Sequence, residues 1–484
     1  MAMAPGGDIA HAPTCGAFGS DFGVMLGWVA IAAAEAKKQQ QTLCVCDDPW
    51  LFRQIASLSH VTAGRPPRLM MRVIKSSVRG ISARLKVAVS TALASLRLRQ
   101  QRRTIEPGSS ILLAYGHPES NAEGFDAYFG GLMQEIPLLR RALHADCPAS
   151  RARALAGAGH TVSLHGWGNP FFALGALPLT RWRPTVNQKK GPYGWLIKRA
   201  ASRENGGGGP AMSRWQQHCQ ARFLMEIRPA RIVWPWENHG WERALCRTAR
   251  LHNLVTVGYQ HTVVGPHQIN YSVAANTDGV ASIPDFVVCN GPVYRDELAA
   301  WGVPEERLSI GGAFRFRDAG TVDMFDPAGP VFIPLSAIPA AAALQVAAAR
   351  RIAATGRRAM IKEHPMYPFP TKSDPMLTRC DTALRDQHGI AAVLYSTGAS
   401  GLDAILAGVP AFRLLLEDNI AIDVLPPGLP VETVDLGDAA ERIEQRLAGG
   451  KPAARIDWDS ILSRPDTDFW RRLLGMDSFA AIST

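Results

Sequence analysis

Two segments of the sequence carry most of the information about its fold: Ala359-Met360-Ile361-Lys362-Glu363-His364-Pro365 and Val393-Leu394-Tyr395-Ser396-Thr397-Gly398-Ala399-Ser400-Gly401-Leu402-Asp403-Ala404. Each begins with a short apolar run, which is typical of a buried parallel strand. The first run leads into a basic turn with a histidine, and the second into small hydroxyl residues where a helix can begin. Open α/β sheets bind ligands at the carboxyl ends of their strands. The two segments therefore predict an α/β fold with a phosphate-binding edge.

The second segment also predicts how a phosphate would be held. Small residues at the strand end let an anion approach main-chain N–H groups, and a helix over 401–407 would point its positive end at the same place. Gly408 and Pro410 provide the expected end of that helix. A turn without any ligand remains the alternative. The candidate nucleotide-binding residues are Lys362, His364, Pro365, Ser396, Thr397, Ser400, Asp403 and Gly312.

The length and composition indicate two domains, because 484 residues exceed an ordinary domain and 47% of them are hydrophobic. Alternating strand and helix patterns predict a doubly wound, Rossmann-like first domain over 21–270, after a flexible tail over 1–20. A second such domain is predicted over 285–460. The last segment, 461–484, predicts a helix that packs back onto the protein.

Other local patterns give narrower predictions. The apolar spacing predicts a helix over 129–145, and the glycine run at 206–210 predicts a mobile connection. The eight cysteines are scattered without metal-ligand spacing, which indicates reduced thiols in a cytoplasmic protein. No secretory signal is recognisable. The sequence also lacks a Walker loop, a Gly-x-Gly-x-x-Gly fingerprint and a nucleophile elbow.

The positive charge is concentrated in one insertion, 49–105. The formal net charge is +10, yet this insertion alone holds twelve arginines and lysines and no acidic residue. Apolar residues recur between the cations at spacings of three or four, which predicts a basic amphipathic helix. Such a helix suits an anionic membrane surface, here through 65–103. A solvated helical insertion and a nucleic-acid patch are the alternatives, although no nucleic-acid recognition module accompanies it.

Polar residues also follow two neighbouring strands of the first domain. Glu237, Asn238 and His239 come after one predicted strand, and Gln260 and His261 after the next. Because parallel strands end at one edge of a sheet, these side chains are expected in one crevice. A structural role for any single histidine is the alternative.

Two acidic residues extend this set. Glu119 directly follows a predicted strand and could face the same crevice. Asp126 is either a functional carboxylate or the amino-terminal cap of the next helix. Two further cations, Arg315 and Arg413, are interpreted as solvated surface residues.

The combined motifs resemble a known family. His364-Pro365, Ser396-Thr397, and Leu402-Asp403-Ala404 with Gly408-Val409-Pro410 resemble bacterial GT-B glycosyltransferases that use cytidine-nucleotide donors, such as sialyl- and Kdo-transferases. With the Trp236-Glu237-Asn238 and Gln260-His261 clusters, the pattern is similar to proteins of bacterial surface-carbohydrate biosynthesis, including O-antigen, lipopolysaccharide and capsule. The resemblance covers about residues 110–460. Asp403 departs from it, because relatives usually carry the longer Glu, which makes a ribose contact less secure.

The resemblance implies a division of labour between the domains. A nucleotide sugar, CMP-linked and carrying an ulosonic acid, would bind the second domain, and a glycan or lipid-linked glycan acceptor the first. It implies metal-independent catalysis without a cofactor, at the inner membrane and without a nucleic-acid partner. The implied catalytic candidates are Glu237, Glu119, His261, His239 and Asp126, and the implied acceptor-binding residues are Trp236, Asn238 and Gln260.

Three other functions fit much of this pattern. A transferase of glycerol phosphate or polyol phosphate from a CDP-linked donor needs nearly the same motifs. A UDP-sugar transferase or epimerase can share the two-domain fold, although an epimerase has no use for the basic insertion. A non-catalytic polysaccharide assembly protein would tolerate loss of Glu237 and His364.

Overall fold

The computed structural model describes residues 7–14, 16, 19–38, 40–316, 324–365, 367–372, 374–416, 420 and 422–476. Within these residues the chain forms two parallel β-sheets with helices around them. The helices are α1 Phe22–Glu35, α2 Pro49–Ile55, α3 Met70–Leu98, α4 Leu132–Glu135, α5 Ala149–Leu155, α6 Pro170–Ala176, α7 Val186–Lys190, α8 Gly194–Asn205, α9 Gly209–Ile227, α10 Gly240–Leu251, α11 Pro292–Ala300, α12 Pro339–Ala354, α13 Ser400–Leu406, α14 Ala439–Leu447, α15 Trp458–Ile461 and α16 Thr467–Leu473.

The first sheet has seven strands in the order β3-β2-β1-β4-β5-β6-β7. All of its neighbouring strands are parallel, and most of their residues are buried, as expected for strands covered by helices on both faces. The strands are β1 Ile111–Ala114, β2 Arg140–Leu143, β3 Thr161–Ser163, β4 Arg231–Pro235, β5 Val255–Gln260, β6 Phe286–Cys289 and β7 Leu308–Ile310.

The second sheet has six strands in the order β10-β9-β8-β11-β12-β13 and is also parallel. Counted from its own first strand, this order is 3-2-1-4-5-6, the Rossmann order that the first sheet also follows. The strands are β8 Val331–Pro334, β9 Ala359–Lys362, β10 Leu377–Cys380, β11 Ala392–Tyr395, β12 Ala411–Leu414 and β13 Glu432–Val434. The predicted α/β class with two Rossmann-like domains, the GT-B architecture, is confirmed.

The border between the domains differs from the one expected. Residues 285–310 were assigned to the second domain, but β6 pairs with β5 and β7 with β6, so both strands extend the first sheet. The second sheet begins only at β8. Alternating strands and helices look the same in either domain, so this pattern could not show which sheet a strand joins.

The predicted helix over 129–145 is wrong for most of its length. Only the short α4 is helical there, and Pro137 separates it from β2. Proline cannot continue a helix because it lacks an N–H and clashes with the preceding turn. β2 then pairs with β1, which makes Arg140–Leu143 part of the sheet.

The predicted mobile connection at 206–210 is instead a packed junction between α8 and α9. A Cβ on Gly206 would lie 2.3 Å from Ser76 Oγ, and one on Gly80 only 1.9 Å from the oxygen of Asn205. Glycine at both positions lets the basic helix α3 pass close to this junction. Arg79 fixes the contact by donating to the oxygen of Gly206, 2.8 Å away.

Both ends of the described chain pack on the first domain. The flexible tail expected over 1–20 does not hold for residues 7–14, because Ile9, Ala10 and Ala12 are buried there; residues 1–6, 15, 17 and 18 lie outside the described part. At the other end, Trp470 of α16 is buried beside Phe129 and donates from Nε1 to the oxygen of Gly311, 2.9 Å away. Among the described helices, none is long and apolar enough to cross a bilayer.

Candidate functional site

The candidate site lies where each sheet reverses its strand order. In the first sheet this switch point lies between β1 and β4, and in the second between β8 and β11. Loops after such strands form the ligand crevice of open α/β sheets. Arg385 joins the domains at this level: its Nη2 lies 3.6 Å from Glu119 Oε2, and its Nη1 donates to the oxygen of Arg315, 3.1 Å away. The two halves of the predicted site therefore face each other.

Glu237 is the centre of a carboxylate–imidazole cluster on the first domain. Its Oε2 lies 2.7 Å from His239 Nε2, and its Oε1 lies 3.6 Å from His261 Nε2. The Glu237 side chain keeps 34% of its surface exposed, whereas the side chains of His239 and His261 keep 15% and 5%. The structure thus brings together three of the five candidate catalytic residues, and the carboxylate is the most accessible of the three.

The protonation of the cluster follows from these contacts. Burial raises the pKa of Glu237, but the hydrogen bond and charge of His239 outweigh this effect, so the pKa of the carboxyl is lowered. The same contact raises the pKa of His239 in spite of its burial. Burial lowers the pKa of His261 to about 3, which keeps this imidazole neutral at neutral pH. Glu237 is therefore an anion that lies between two different imidazoles. The raised pKa of His239 favours its protonated form, whereas His261 is neutral.

Glu242, which the sequence analysis missed, holds the Glu237 loop in place. This fully buried side chain accepts hydrogen bonds at Oε2 from the main-chain N–H groups of Glu237 and Asn238, at 3.0 and 2.9 Å. Trp234 Nε1 donates a third at 3.1 Å. Burial raises the pKa of Glu242 to about 7. A carboxylate in the first turn of α10 was the available signal, since acidic residues there commonly receive the N–H groups of a preceding loop.

The three residues implied for acceptor binding are buried within the first domain. Trp236 and Gln260 are fully buried, and Gln260 is bonded to the main chain of Asn290 and Thr262. Asn238 is also buried, has a left-handed φ of 56°, and donates to Asn270 O at 2.7 Å. A left-handed backbone suits asparagine among the non-glycine residues. Sequence alone could not distinguish a buried amide that supports the loop from one that contacts a ligand.

The two additional acidic candidates differ in how far they are exposed. Asp126 is fully buried; its Oδ2 lies 3.3 Å from Arg141 Nη1, and its Oδ1 accepts from the N–H of Tyr128 at 3.0 Å. It stabilises a loop and is not the cap of the next helix, which begins at Leu132. Glu119 keeps 50% of its side chain exposed and faces Arg385 of the second domain. Only Glu119 remains a site residue.

On the second domain, Lys362, His364 and Pro365 lie on the loop after β9. Lys362 Nζ donates to the oxygen of Asp381, 2.8 Å away, and Pro365 is exposed. The His364 ring lies 5.3 Å from that of Tyr367. Burial, and then the electrostatic effects of the neighbouring His117 and Arg315, lower the pKa of His364 to about 4. His117 belongs to the first domain, so this neutral imidazole lies at the boundary of the two domains.

The hydroxyl residues follow β11 as predicted. Ser396 is 3% exposed, and its Oγ has no hydrogen-bond partner among the described residues. Thr397 is hydrogen-bonded to Ser336, and Ser400 is the first residue of α13. A buried hydroxyl without a partner is costly unless a ligand or water completes it. The hydroxyl of Ser396 is therefore free to bond to a ligand at the end of β11.

Asp403 lies in the first turn of α13, and burial raises its pKa to about 6 against the charges of Arg385 and Arg315.

Arg315 itself was interpreted as a surface cation, but it lies between the two half-sites. Its Cζ is 5.5 Å from the centre of the Tyr128 ring, and its charge acts on His261, His364 and Asp403. Arg413 is not solvated either, since it pairs with Asp423 at 2.8 Å. Neither arginine belongs to a motif that sequence could reveal.

Gly312, a candidate nucleotide-binding residue, has a packing role. It has a φ of 91°, and a Cβ there would lie 2.3 Å from the oxygen of Arg464. Its own oxygen accepts from the hydroxyl of Tyr259 at 3.0 Å. Glycine is needed at this position because the carboxyl-terminal segment crosses it closely.

The cleft thus combines two kinds of chemistry. Its first-domain side offers an accessible carboxylate, and its second-domain side offers hydroxyls, a neutral imidazole and cations that suit a phosphorylated ligand. Among the described residues, no three His, Cys, Asp or Glu side chains are arranged to share a metal ion. The cleft therefore places a carboxylate on one side and cations on the other.

Comparison with known proteins adds only a fold likeness. No protein-family model and no curated protein matches the sequence. A solved glycotransferase of kitacinnamycin matches with a TM-score of 0.42 and 13% identity, over 76% of this chain and 100% of its own. UDP-GlcNAc 2-epimerase from Neisseria meningitidis, bound to UDP-GlcNAc, matches with a TM-score of 0.40 and 8% identity, over 76% of this chain and 99% of its own. The lipopolysaccharide outer core galactosyltransferase WaaB matches with a TM-score of 0.35 and 11% identity, over 71% of this chain and 92% of its own. With TM-scores below 0.5, these matches give no argument for function.

Proposed function

We propose that this protein is a glycosyltransferase that moves a sugar from a nucleotide-activated donor to an acceptor hydroxyl. One observation carries the proposal: the accessible carboxylate of Glu237 and the cation Arg315 lie in one cleft between two Rossmann-like domains, with charges close enough to influence each other. A carboxylate can take the proton of an attacking hydroxyl, and a guanidinium can stabilise a departing phosphate. Sugar transfer from a nucleotide needs both groups.

The donor would bind the second domain. The unpartnered hydroxyl of Ser396 would donate to a phosphate oxygen, and neutral His364 would donate to a phosphate or ribose oxygen. Lys362 and Ser400 extend this surface. Asp403, with its pKa near 6, is mostly ionised at neutral pH and would accept from a ribose hydroxyl. The shorter Asp brings the sugar closer to α13 than a Glu would.

The acceptor would approach from the first domain. Its hydroxyl would donate a hydrogen bond to Glu237, whose anionic form is favoured by His239. The low pKa of this carboxyl does not prevent catalysis, because the hydroxyl becomes strongly acidic only as its oxygen bonds to the anomeric carbon. The proton then passes to Glu237 in the transition state. His261 limits the motion of the carboxylate from its other side.

Bond cleavage would release charge toward the arginines. As the bond between the anomeric carbon and the phosphate oxygen breaks, the electron pair stays on that oxygen. Arg315, beside Arg385 at the domain boundary, would stabilise this negative charge. In this scheme the reaction needs no cofactor beyond the donor and the acceptor.

Attachment to an anionic membrane is part of the proposal. The outward face of α3 carries large apolar side chains exposed by 44% to 74%, and none of the residues of 49–105 is acidic. Helices with an exposed apolar stripe and flanking cations lie in the membrane interface. A lipid-linked glycan acceptor would be found at that surface. The stripe consists of Met70, Met71, Ile74, Val78, Ile81, Leu85, Val89, Leu93 and Leu96.

A nucleotide titration tests the donor half. The melting temperature of the purified protein would be followed with CMP, CDP, UDP and GDP, in the wild type and in His364→Ala. Stabilisation by CMP that His364→Ala removes would support a CMP-linked donor such as an ulosonic acid. Preference for CDP would indicate polyol-phosphate transfer, and preference for UDP a hexosyltransferase or an epimerase. The lack of any response would refute the donor site.

A turnover assay tests the acceptor half. Release of nucleotide from the preferred nucleotide sugar would be measured with and without a glycan acceptor. Acceptor-dependent release supports a transferase. Formation of an epimeric sugar nucleotide without any acceptor would contradict the proposal.

A further inference from the structure

A second candidate binding site lies in the basic insertion, away from the cleft. The cavity has a volume of about 510 Å³ between α2, α3 and the segment that leads from Arg181 into α8. Its lining includes Val73, Trp195 and the cations Arg84, Arg181, Arg183, Lys189 and Lys198. One wall is apolar and aromatic, and the rest is basic.

The cavity has positive charge without a counter-charge. Five of its lining residues are arginine or lysine, and none is acidic. Arg84 is only 1% exposed, yet it donates to main-chain oxygens, those of Pro178 at 3.0 Å and Asn205 at 2.9 Å. Arg181 lies near enough for its charge to add to the effect of burial in lowering the pKa of Arg84. A buried cation beside a second cation favours an anion as ligand.

The aromatic wall indicates that the anionic ligand also has an apolar part. Lys198 Nζ lies 4.1 Å from the centre of the Trp195 ring, and Arg53 Cζ lies 5.6 Å from it. Val73, 39% exposed, lines the cavity beside the apolar stripe of α3. A ligand here would therefore meet cations at one end and an apolar surface at the other. This combination matches an amphiphile better than a free anion or a nucleic-acid backbone.

We propose that this cavity binds the phosphate-bearing headgroup of an anionic phospholipid, whose acyl chains lie along the apolar stripe of α3. The inference rests on the membrane attachment in the proposed function and adds a defined lipid site to it. Arg181 and Arg183, both exposed at the rim, would contact the phosphate first. Lys198 would contact it deeper in the cavity, where the charge of the buried Arg84 also favours an anion.

Vesicle binding by the full chain tests the site. The variant Arg181→Gln/Arg183→Gln would be compared with Arg65→Gln/Arg68→Gln, which removes the same charge from exposed residues outside the cavity lining. With phosphatidylglycerol vesicles we expect the cavity variant to lose about tenfold or more in affinity and the matched control only a few-fold. Both variants should bind phosphatidylcholine vesicles as the wild type does. Equal losses in the two variants would show diffuse charge attraction and overturn the site.

A soluble probe distinguishes the lipid from a free anion. Dihexanoyl phosphatidic acid should bind the wild type and compete with vesicles, whereas inorganic phosphate at the same concentration should not. Equal binding of inorganic phosphate would overturn the lipid assignment. Wild-type protein that binds no vesicle at all would refute both the membrane attachment and this site. Stabilisation of the cavity variant by nucleotide should equal that of the wild type. The nucleotide titration therefore tests the donor site independently of the lipid site.

Discussion

Arg385 Nη1 donates a hydrogen bond to the main-chain oxygen of Arg315, 3.1 Å away, and so ties the second domain to the first at the mouth of the cleft. The charges of both arginines favour the ionised form of Asp403. Two neighbouring guanidinium groups at the cleft can stabilise an anionic leaving group. The two arginines that join the domains are therefore also the residues of the proposed phosphate site.

Replacing Arg315 by glutamine should reduce catalysis more than donor binding. Because its charge would meet the departing phosphate, Arg315→Gln is expected to lower kcat by about 100-fold. KM for the nucleotide sugar should rise only a few-fold. The matched control is Arg350→Gln, an exposed arginine on α12, which should leave both constants unchanged. Unaltered kcat in Arg315→Gln would remove this residue from the mechanism.

Glutamine at position 237 should abolish most of the turnover. The amide keeps the size of the side chain but cannot accept the acceptor's proton, so Glu237→Gln is expected to lower kcat by about 10² to 10⁴. Glu119→Gln is the matched control, because Glu119 is also exposed at the cleft but pairs with Arg385. It should retain kcat within about tenfold. If Glu119→Gln is the more damaging change, the base is Glu119.

The fold was predictable from sequence where the pattern is local. Buried apolar runs such as 111–114, 331–334 and 392–395 were recognisable as strands, because parallel strands covered on both faces are continuously apolar. The sheet to which β6 and β7 belong was not predictable. Strand partners are chosen by contacts between residues far apart in the sequence, which no local pattern records.

The site was predictable only in part, for a similar reason. Residues at strand ends, such as Glu237 and Ser396, could be found because the topology places all strand ends at one edge. Arg315 was missed because its importance comes from its position between two domains. Asp126 and Asn238 were overvalued because a buried polar side chain that satisfies a loop has the same sequence signature as a ligand contact.

Asparagine at position 126 should destabilise the protein without changing its chemistry. Asp126 and Arg141 form an ion pair with both side chains at 0% exposure, so Asp126→Asn leaves a buried guanidinium without its counter-charge. The expected loss in the free energy of unfolding is about 3 to 5 kcal/mol. Denaturant unfolding would measure it. Asp296→Asn, which breaks an exposed pair with Arg295, should leave the free energy of unfolding nearly unchanged.

A charge on the stripe of α3 should prevent membrane attachment. Val78 and Leu85 are 64% and 49% exposed, so Val78→Asp/Leu85→Asp should fold normally. Two carboxylates in the interface would be repelled by anionic lipid and would oppose insertion. We expect the variant to lose flotation with anionic vesicles, whereas Val186→Asp, outside the stripe and 61% exposed, should still float. Normal flotation of the double variant would exclude α3 as the attachment surface.

The pH dependence of stability should change when Glu242 becomes glutamine. Burial raises the folded-state pKa of Glu242 from 4.5 to about 7, so between these values the folded protein binds more protons than the unfolded chain. Stability from this group is therefore fully present below about pH 4.5 and is lost as the pH rises through about 7. Glutamine cannot ionise, and its Oε1 can accept two of the three hydrogen bonds that Glu242 Oε2 receives, so any cost of the lost bond does not vary with pH. Glu242→Gln should thus abolish this loss.

The difference between the two unfolding free energies gives the measurement. From pH 5 to pH 8, the variant should gain relative to the wild type by an amount on the order of 3 kcal/mol, since one pKa unit corresponds to about 1.4 kcal/mol. Glu441→Gln, an exposed glutamate on α14, should show a difference that does not change with pH. A constant difference for Glu242→Gln would mean that this carboxyl is ionised in the folded protein throughout the range. The Glu237 loop would then be held by a charged anchor rather than one that takes up a proton near neutrality.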